Sequence, residues 1–269
     1  NITVPLLGLI DVTIVGHLGS PAYIGAIAVG GMLFNIIYWI FGFLRMGTSG
    51  MTSQAYGQHD LNEINRLLIR SVGVGLFIAL CLLILQYPIL NAAFTLIQTT
   101  EEVKQLATTY FYICIWGAPA MLGLYGFAGW FIGMQNSRFP MYIAITQNIV
   151  NIIASLSFVY LLDMKVAGVA AGTLIAQYAG FFMAILLYMR YYSTLRKRIV
   201  WKDIIQKQAM YRFFRVNRDI FFRTFCLVIV TMFFTSAGAA QGEVVLAVNT
   251  LLMQLLSLIH ISEPTRLRR

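Results

Sequence analysis

Long apolar runs recur along almost the whole chain and dominate what it can fold into. Seven of them approach the roughly 20 residues needed to cross a bilayer. They cover residues 2–18, 22–49, 67–90, 106–133, 140–162, 167–192 and 220–240, and an incomplete eighth begins at 244. Hydrophobic residues make up 59% of the 269 and charged residues only 11%, which excludes an ordinary soluble domain. The sequence therefore predicts an all-α integral membrane protein with about seven and a half transmembrane helices.

Basic residues are unevenly divided among the loops that join these runs. The loops at residues 54–70, 135–138 and 190–223 carry thirteen Lys or Arg, whereas the alternate loops carry only Lys104 and Lys165. Because cytoplasmic loops are enriched in Lys and Arg, the basic set is predicted to face the cytoplasm. The net charge of +9 therefore comes from basic loops that set the orientation in the bilayer, and we expect no nucleic-acid partner.

The longest basic loop contains the one plausible domain boundary. Its segment WKDIIQKQAMYRFFRVNRD interleaves apolar side chains with Lys and Arg, which predicts an interfacial helix on the inner leaflet. A helix that binds a partner protein is the alternative interpretation. The predicted divisions are a first membrane unit at 1–192, a linker at 193–219, a second unit at 220–255 and a tail at 256–269.

Both ends of the chain have unusual features. The sequence starts at Asn1 within an apolar run and without Met, so we expect the start of the first helix to be missing. Near the other end, LSLIHISEPTR resembles the translation of a transposase-type sequencing adapter. It places a Pro and several charges where the eighth run should continue. Residues 256–269 are therefore expected to lie outside the fold.

Asp11 lies in the middle of the first apolar run. A carboxylate at the bilayer centre costs roughly 2.5–3.5 kcal/mol, so Asp11 should face protein or a water-filled cavity. Burial disfavours the charged form, which suits a group that exchanges protons near neutral pH. Asp11 is therefore a candidate proton-coupling residue. A plain hydrogen bond to a neighbouring helix is the alternative.

Uncharged polar residues within the fifth and sixth runs are candidates for lining a cavity. They are Gln147, Asn148, Asn151 and Ser155 on the fifth run, and Thr173 and Gln177 on the sixth. Spacings of three and four place each set on one helical face. Amides and hydroxyls in lipid need partners, so these faces should turn inward. Hydrogen bonding between helices explains them equally well.

Two further patterns favour structural roles. Arg45, near the predicted cytoplasmic end of the second run, can extend its side chain to the interface as an anchor. Small residues recur every four positions on the sixth run and indicate close helix packing there. They are Gly168, Gly172, Ala176 and Gly180. On the fourth run, glycines after Pro119 indicate a bendable helix, and they are Gly123, Gly126, Gly129 and Gly133.

Enzyme signatures are absent from the sequence. It contains no HExxH, GxSxG or P-loop motif, and no GxGxxG in a suitable context. The cysteines Cys81, Cys114 and Cys226 lie inside apolar runs, without metal or redox spacing. We therefore expect no catalytic residue, no metal and no cofactor. An integral-membrane enzyme acting on lipid would need an acid–base or metal constellation, and the spans offer only Asp11.

Five blocks in order resemble the multidrug and toxic compound extrusion (MATE) transporters, and most closely their DinF-like prokaryotic branch. The blocks are LLGLIDVTIVGHLGS, FLRMGTSGMTSQAYGQ, QNIVNIIASLSFVYLL, VAGVAAGTLIAQY and LAVNTLLMQL. The resemblance implies a fold of two six-helix lobes, of which residues 1–192 form the amino-terminal lobe and 220–255 begin the second. Because alternating access needs both lobes, the chain on its own is expected to be inactive.

The resemblance also implies a function, namely ion-driven export of drug-like or amphipathic, often cationic, organic compounds across the prokaryotic cytoplasmic membrane by a monomer. Asp11 matches the acid linked to proton coupling, and Asn151 and Thr173 match cavity positions. Many relatives carry N-x-x-x-D where this chain has Asn151 followed by Ser155, which leaves Asp11 as the single carboxylate. H⁺ is preferred to Na⁺ as the coupling ion. A flippase for lipid-linked saccharides is the alternative, although it would need several cavity-facing cations.

Overall fold

The computed structural model describes residues 20–97, 99–196 and 206–240, and every regular element within them is helical. This confirms the all-α prediction. The elements are α1 (Pro21–Ile40), α2 (Phe43–Gly57), α3 (Leu61–Ile84), α4 (Gln86–Leu96), α5 (Glu101–Cys114), α6 (Ala118–Gly133), α7 (Arg138–Leu156), α8 (Lys165–Tyr191), α9 (Ser193–Arg196) and α10 (Lys207–Ala240), with a 3₁₀ turn at Ile115–Gly117 and a π-helical turn at Ser157–Leu161.

Five stretches of the described chain are long and apolar enough to cross a membrane. They are Pro21–Gly57, Leu61–Ile84, Glu101–Gly133, Arg138–Leu161 and Lys165–Tyr191. They correspond to the second through sixth predicted runs. The seventh run falls within α10, which has a helical backbone, whereas the first run, the start of the eighth and the tail at 256–269 lie outside the described residues.

The helices extend further into polar sequence than hydropathy predicts. The predicted span 22–49 is too short, because α2 continues to Gly57. The predicted span 67–90 is displaced, because α3 begins at Leu61 and ends at Ile84. Asp60 fixes this early start, since its Oδ1 accepts hydrogen bonds from the backbone N–H groups of Asn62 and Glu63. The separate helix α4 (Gln86–Leu96) begins within this predicted span and continues into the segment before the next one.

Two of the membrane-length stretches are interrupted near their midpoints. Pro21–Gly57 breaks at Phe41–Gly42, and Glu101–Gly133 breaks at the 3₁₀ turn Ile115–Gly117. The second break lies just before Pro119, whose ring cannot continue the hydrogen-bond ladder of a preceding helix. That the glycines of α6 make it bendable stays a prediction. That helix runs unbroken from Ala118 to Gly133, and its glycines serve as contact points.

Helix α6 lies at the centre of the packing, in contact with α2, α3 and α8. Its Trp130 is fully buried and donates from Nε1 to the carbonyl oxygen of Ile64 on α3 at 2.8 Å. Helix α5 packs on α1 and α8, and α7 packs mainly on α8. The site residues of the fifth and sixth runs therefore meet at the α7–α8 contact.

The chain divides into two compact units between Asn217 and Arg218. Within the described residues, the second unit comprises the remainder of α10 up to Ala240. An ion pair of 3.2 Å joins Arg218 and Asp219 at its start. The proposed divisions at 192, 219 and 255 remain predictions.

Candidate functional site

Small residues on α8 allow α7 to approach closely. A Cβ added at Gly172 would overlap Ser155, one at Gly180 would overlap Gln147, and one at Gly168 would crowd Phe158. The predicted close packing along this face is therefore confirmed at these three glycines. As a result, Gln147 and Ser155 are pressed against the backbone of α8, where a larger residue would displace them.

A buried polar pair lies between the two helices. Asn151 Nδ2 donates a hydrogen bond to Thr173 Oγ1 at 3.0 Å. Asn151 and Ser155 are both 0% exposed. Among the described residues, neither Asn151 Oδ1 nor Ser155 Oγ has a hydrogen-bond partner. Because a buried polar atom without a partner costs about 1–3 kcal/mol, the site needs a further donor or a ligand.

Gln177, one turn beyond Thr173 on α8, lies against the break between α5 and α6. Its Oε1 occupies the space that a side chain at Gly117 would need. Tyr38 of α1 is its neighbour, although neither Tyr38 Oη nor Gln177 Oε1 makes a hydrogen bond of good geometry within the described chain. The site thus extends from α7 to the middle of the broken stretch.

Sequence reasoning missed Tyr38 as a member of this site. A tyrosine within an apolar run is indistinguishable from a core aromatic residue, and no motif surrounds it. The break beside it exposes backbone acceptors, since the carbonyl oxygen of Trp116 accepts a hydrogen bond from the Tyr178 hydroxyl at 2.9 Å. Interrupted helices near the membrane midplane often form the binding sites of transporters.

Arg45 lies immediately after the other break, in the first turn of α2. Its guanidinium carbon is 5.9 Å from the centre of the Tyr125 ring on α6, within range of a cation–π interaction. Its position near the cytoplasmic end of the membrane span stays a prediction, although α2 continues for twelve residues to Gly57. At 1.5 Å per residue that distance is about 18 Å. Its role as an anchor remains a prediction.

The remaining predicted residues are not brought together by the described contacts. Asn148 is half-buried on α7, beside the face that Gln147, Asn151 and Ser155 turn to α8. Asp11 lies outside the described residues. Within the described ranges, no group of three or more His, Cys, Asp or Glu could hold a metal ion.

The comparison with known proteins identifies the family. The family model MatE matches residues 1–157. DNA damage-inducible protein F of Escherichia coli (strain K12) is 35% identical over 266 residues, covering 96% of this chain and 56% of the relative. Multidrug and toxin extrusion protein 1 of Danio rerio is 28% identical over 189 residues, covering 68% and 30%. The chain thus spans about half the length or less of these curated relatives.

The fold agrees with this relationship. The crystal structure of MATE in the bent conformation superimposes with a TM-score of 0.78 and 21% identity. The superposition covers 95% of this chain and 57% of that one. Identity at this level shows a shared fold and nothing more, but the family match covers more than half of the 269 residues. The chain therefore belongs to the MatE family of multi-pass membrane transporters.

Proposed function

We propose that this chain forms the amino-terminal lobe of an ion-coupled antiporter that exports small amphipathic organic compounds across the cytoplasmic membrane. The observation that carries the proposal is the buried polar site on α7 and α8. Asn151 Oδ1, Ser155 Oγ and Gln177 Oε1 all lack a partner among the described residues. A membrane protein has no water in the surrounding hydrocarbon to satisfy them.

The chemistry of these three atoms suits a group whose protonation changes. Two of them are amide oxygens, which only accept hydrogen bonds. A protonated Asp11 supplies an O–H donor to such acceptors, whereas an ionised Asp11 supplies none and instead attracts water or a cation. Proton and substrate then compete for one cavity, which is what exchange requires.

The polar groups near this site favour particular substrates and ions. In the proposed cavity, Gln147, Asn148 and Thr173 join the three acceptors. Small organic molecules with an apolar body and a hydrogen-bonding or cationic head fit this mixture of groups. H⁺ is the proposed coupling ion. Na⁺ is the competing ion, because oxygen acceptors also coordinate hard cations.

The decisive experiment compares Asp11→Asn with the unmodified sequence in proteoliposomes that hold both lobes of the transporter. Dye efflux is measured under an imposed ΔpH and, separately, under a ΔNa⁺. We expect the substitution to leave expression and folding intact and to abolish ΔpH-driven efflux, with at least a 100-fold loss. Asp163→Asn, in the exposed turn before α8, is the matched control, because it removes the same charge outside the site.

Two results would contradict the proposal. Wild-type efflux by Asp11→Asn under ΔpH would place the coupling group elsewhere. Efflux driven by ΔNa⁺ alone would replace the proton with Na⁺ while leaving the export function in place. Dye binding, measured separately, distinguishes a transporter that has lost coupling from one that has lost its substrate site.

A further inference from the structure

A cavity of about 600 Å³ lies where the end of α2, the start of α3 and the first turns of α10 meet. It is separate from the polar site on α7 and α8, and it does not depend on the export proposal. Gln54 of α2 and Gln58 just after it line one side, and Tyr211, Arg212 and Arg215 of α10 line the other. Its size is within the range of known small-molecule sites.

The α10 wall of this cavity is firmly docked. Phe213 is only 1% exposed and belongs to the same apolar cluster as Met51 and Leu67, which also line the cavity. One turn later, Asn217 is buried and donates from Nδ2 to the carbonyl oxygen of Phe213 at 2.8 Å. Its side chain rests against Gly47, where a Cβ would overlap it. The arginines of α10 are therefore carried by a packed helix.

Two arginines give the cavity its positive side. Arg215 donates from Nη2 to the Tyr211 hydroxyl at 2.9 Å, and its guanidinium carbon lies 4.7 Å from the centre of the Tyr211 ring. This contact holds the side chain in place without neutralising it. Arg212 is exposed and has no ion-pair partner in the described chain. Fixed guanidinium groups bind phosphate oxygens well, because their N–H donors match the phosphate geometry.

The two carboxylates that line the cavity are already engaged. Asp60 Oδ1 accepts the backbone N–H groups of Asn62 and Glu63 at 3.1 and 3.0 Å, as the N-cap of α3. Glu63 binds the buried Arg70 at 2.7 Å and lies 3.9 Å from Arg66. The charge of Glu63 is therefore offset by arginines of α3, whereas that of Asp60 meets only the partial positive charge of the helix N-terminus. The two arginines of α10 outnumber this one carboxylate, so the cavity favours an anion.

The position of the cavity identifies the source of that anion. It lies where the membrane-length stretch Pro21–Gly57 ends and the stretch Leu61–Ile84 begins. The end of a membrane-spanning helix lies toward the lipid headgroups. The exposed ring of Tyr211 lines the cavity, and Tyr56 and Phe214, each next in sequence to a lining residue, are also exposed, as is typical of a membrane interface. Positive-inside logic assigns this side to the cytoplasm. We infer that the cavity binds the phosphate of an anionic lipid headgroup from the inner leaflet, with Arg212 and Arg215 as its donors.

The test measures lipid retention by the purified chain in neutral detergent. Phosphatidylglycerol and phosphatidylcholine are titrated in separately, and bound lipid is counted by native mass spectrometry. We expect phosphatidylglycerol to be retained several-fold better. One basic residue near an anionic headgroup contributes about fivefold, so Arg212→Gln with Arg215→Gln should weaken retention about 25-fold. The double Lys variant keeps both charges but lacks the guanidinium donors, so it should recover only part of the binding.

The matched control is Arg138→Gln with Arg190→Gln, which removes two exposed arginines from the predicted cytoplasmic side without touching the cavity. We expect less than a twofold change in this variant. An equal loss in the control, or equal retention of both lipids, overturns the inference. Glycerol phosphate at the same concentration should not displace the lipid. If it does so fully, the ligand is a soluble phosphate ester and the lipid assignment is wrong.

Discussion

Glycines bring helices together in two places in this lobe, but the two contacts bury different chemistry. On α6, Gly123 faces the Phe181 ring and Gly129 faces the carbonyl oxygen of Arg45. The buried hydroxyls of that contact are largely paired, since Thr48 Oγ1 and Ser71 Oγ lie 2.6 Å apart, although Thr52 Oγ1 beside Gly133 has no partner among the described residues. On α8, the glycines instead press against Ser155 and Gln147.

The difference separates a scaffold from a candidate site. Around α6, close approach makes mostly apolar contacts and the paired hydroxyls of Thr48 and Ser71, which stabilise one arrangement of helices. Between α7 and α8, the same close approach holds acceptors that no described residue satisfies. Since a buried, unsatisfied polar atom is destabilising, such an arrangement is retained where another group, an ion or a substrate completes it. Substitutions in the two places should therefore fail in different ways.

The largest expected effect is structural and belongs to α6. Gly129→Val would drive a branched side chain into the carbonyl oxygen of Arg45 and the Cβ of Thr48, neither of which can rotate away. We expect a loss of about 3 kcal/mol or more, seen as aggregation in size-exclusion chromatography. Gly50→Ala on α2, where a Cβ meets nothing within 4 Å, is the control and should be neutral or stabilising. A well-folded Gly129→Val protein would disprove the tight α6 contact.

The sequence predicts this division only in part. Membrane spans depend on local hydropathy, and for that reason the runs around α3, α7 and α8 are found from composition alone. Which backbone atom a glycine meets depends on a partner far along the chain, as with Gly129 and Arg45, so the spacing of the α6 glycines does not predict their contacts. Tyr38 joins the site through the break at Ile115–Gly117, which only tertiary structure reveals.

The second prediction concerns function at the α7–α8 contact. Asn151→Ala removes the hydrogen bond to Thr173, which in a membrane protein contributes on average about 0.6 kcal/mol. Stability should therefore change little, whereas ion-driven efflux should fall tenfold or more if the amide completes the coupling site. Thermal unfolding and dye efflux are measured on the same preparation. Normal efflux with lowered stability would mean that Asn151 only links the helices.

A smaller effect is expected at Ser155, in the opposite direction for stability. Its hydroxyl is buried without a partner in the described chain, so Ser155→Ala removes an unsatisfied group, while the backbone of Ser155 keeps its close contact with Gly172. We expect unfolding stability to rise by up to about 1 kcal/mol. Efflux should fall several-fold, because the cavity loses one donor and acceptor. A clear loss of stability would show that the hydroxyl has a partner outside the described residues.

The smallest effect is expected at Arg45, which lies at the α6 contact and outside the polar site. Its guanidinium lies over the Tyr125 ring, and a lysine ammonium can make the same kind of interaction. If Arg45 only secures the start of α2 against α6, Arg45→Lys should keep efflux within about twofold, and Arg45→Met should lower stability through loss of the charge–ring contact. Tyr125→Phe preserves the ring and serves as the control.

A severe loss of efflux in Arg45→Lys at normal expression would contradict the anchoring role. It would mean that the guanidinium donors of Arg45 bind a group in the cavity, because lysine cannot reproduce their geometry. Arg45 would then belong with the residues of α7 and α8 and not with the scaffold of α6.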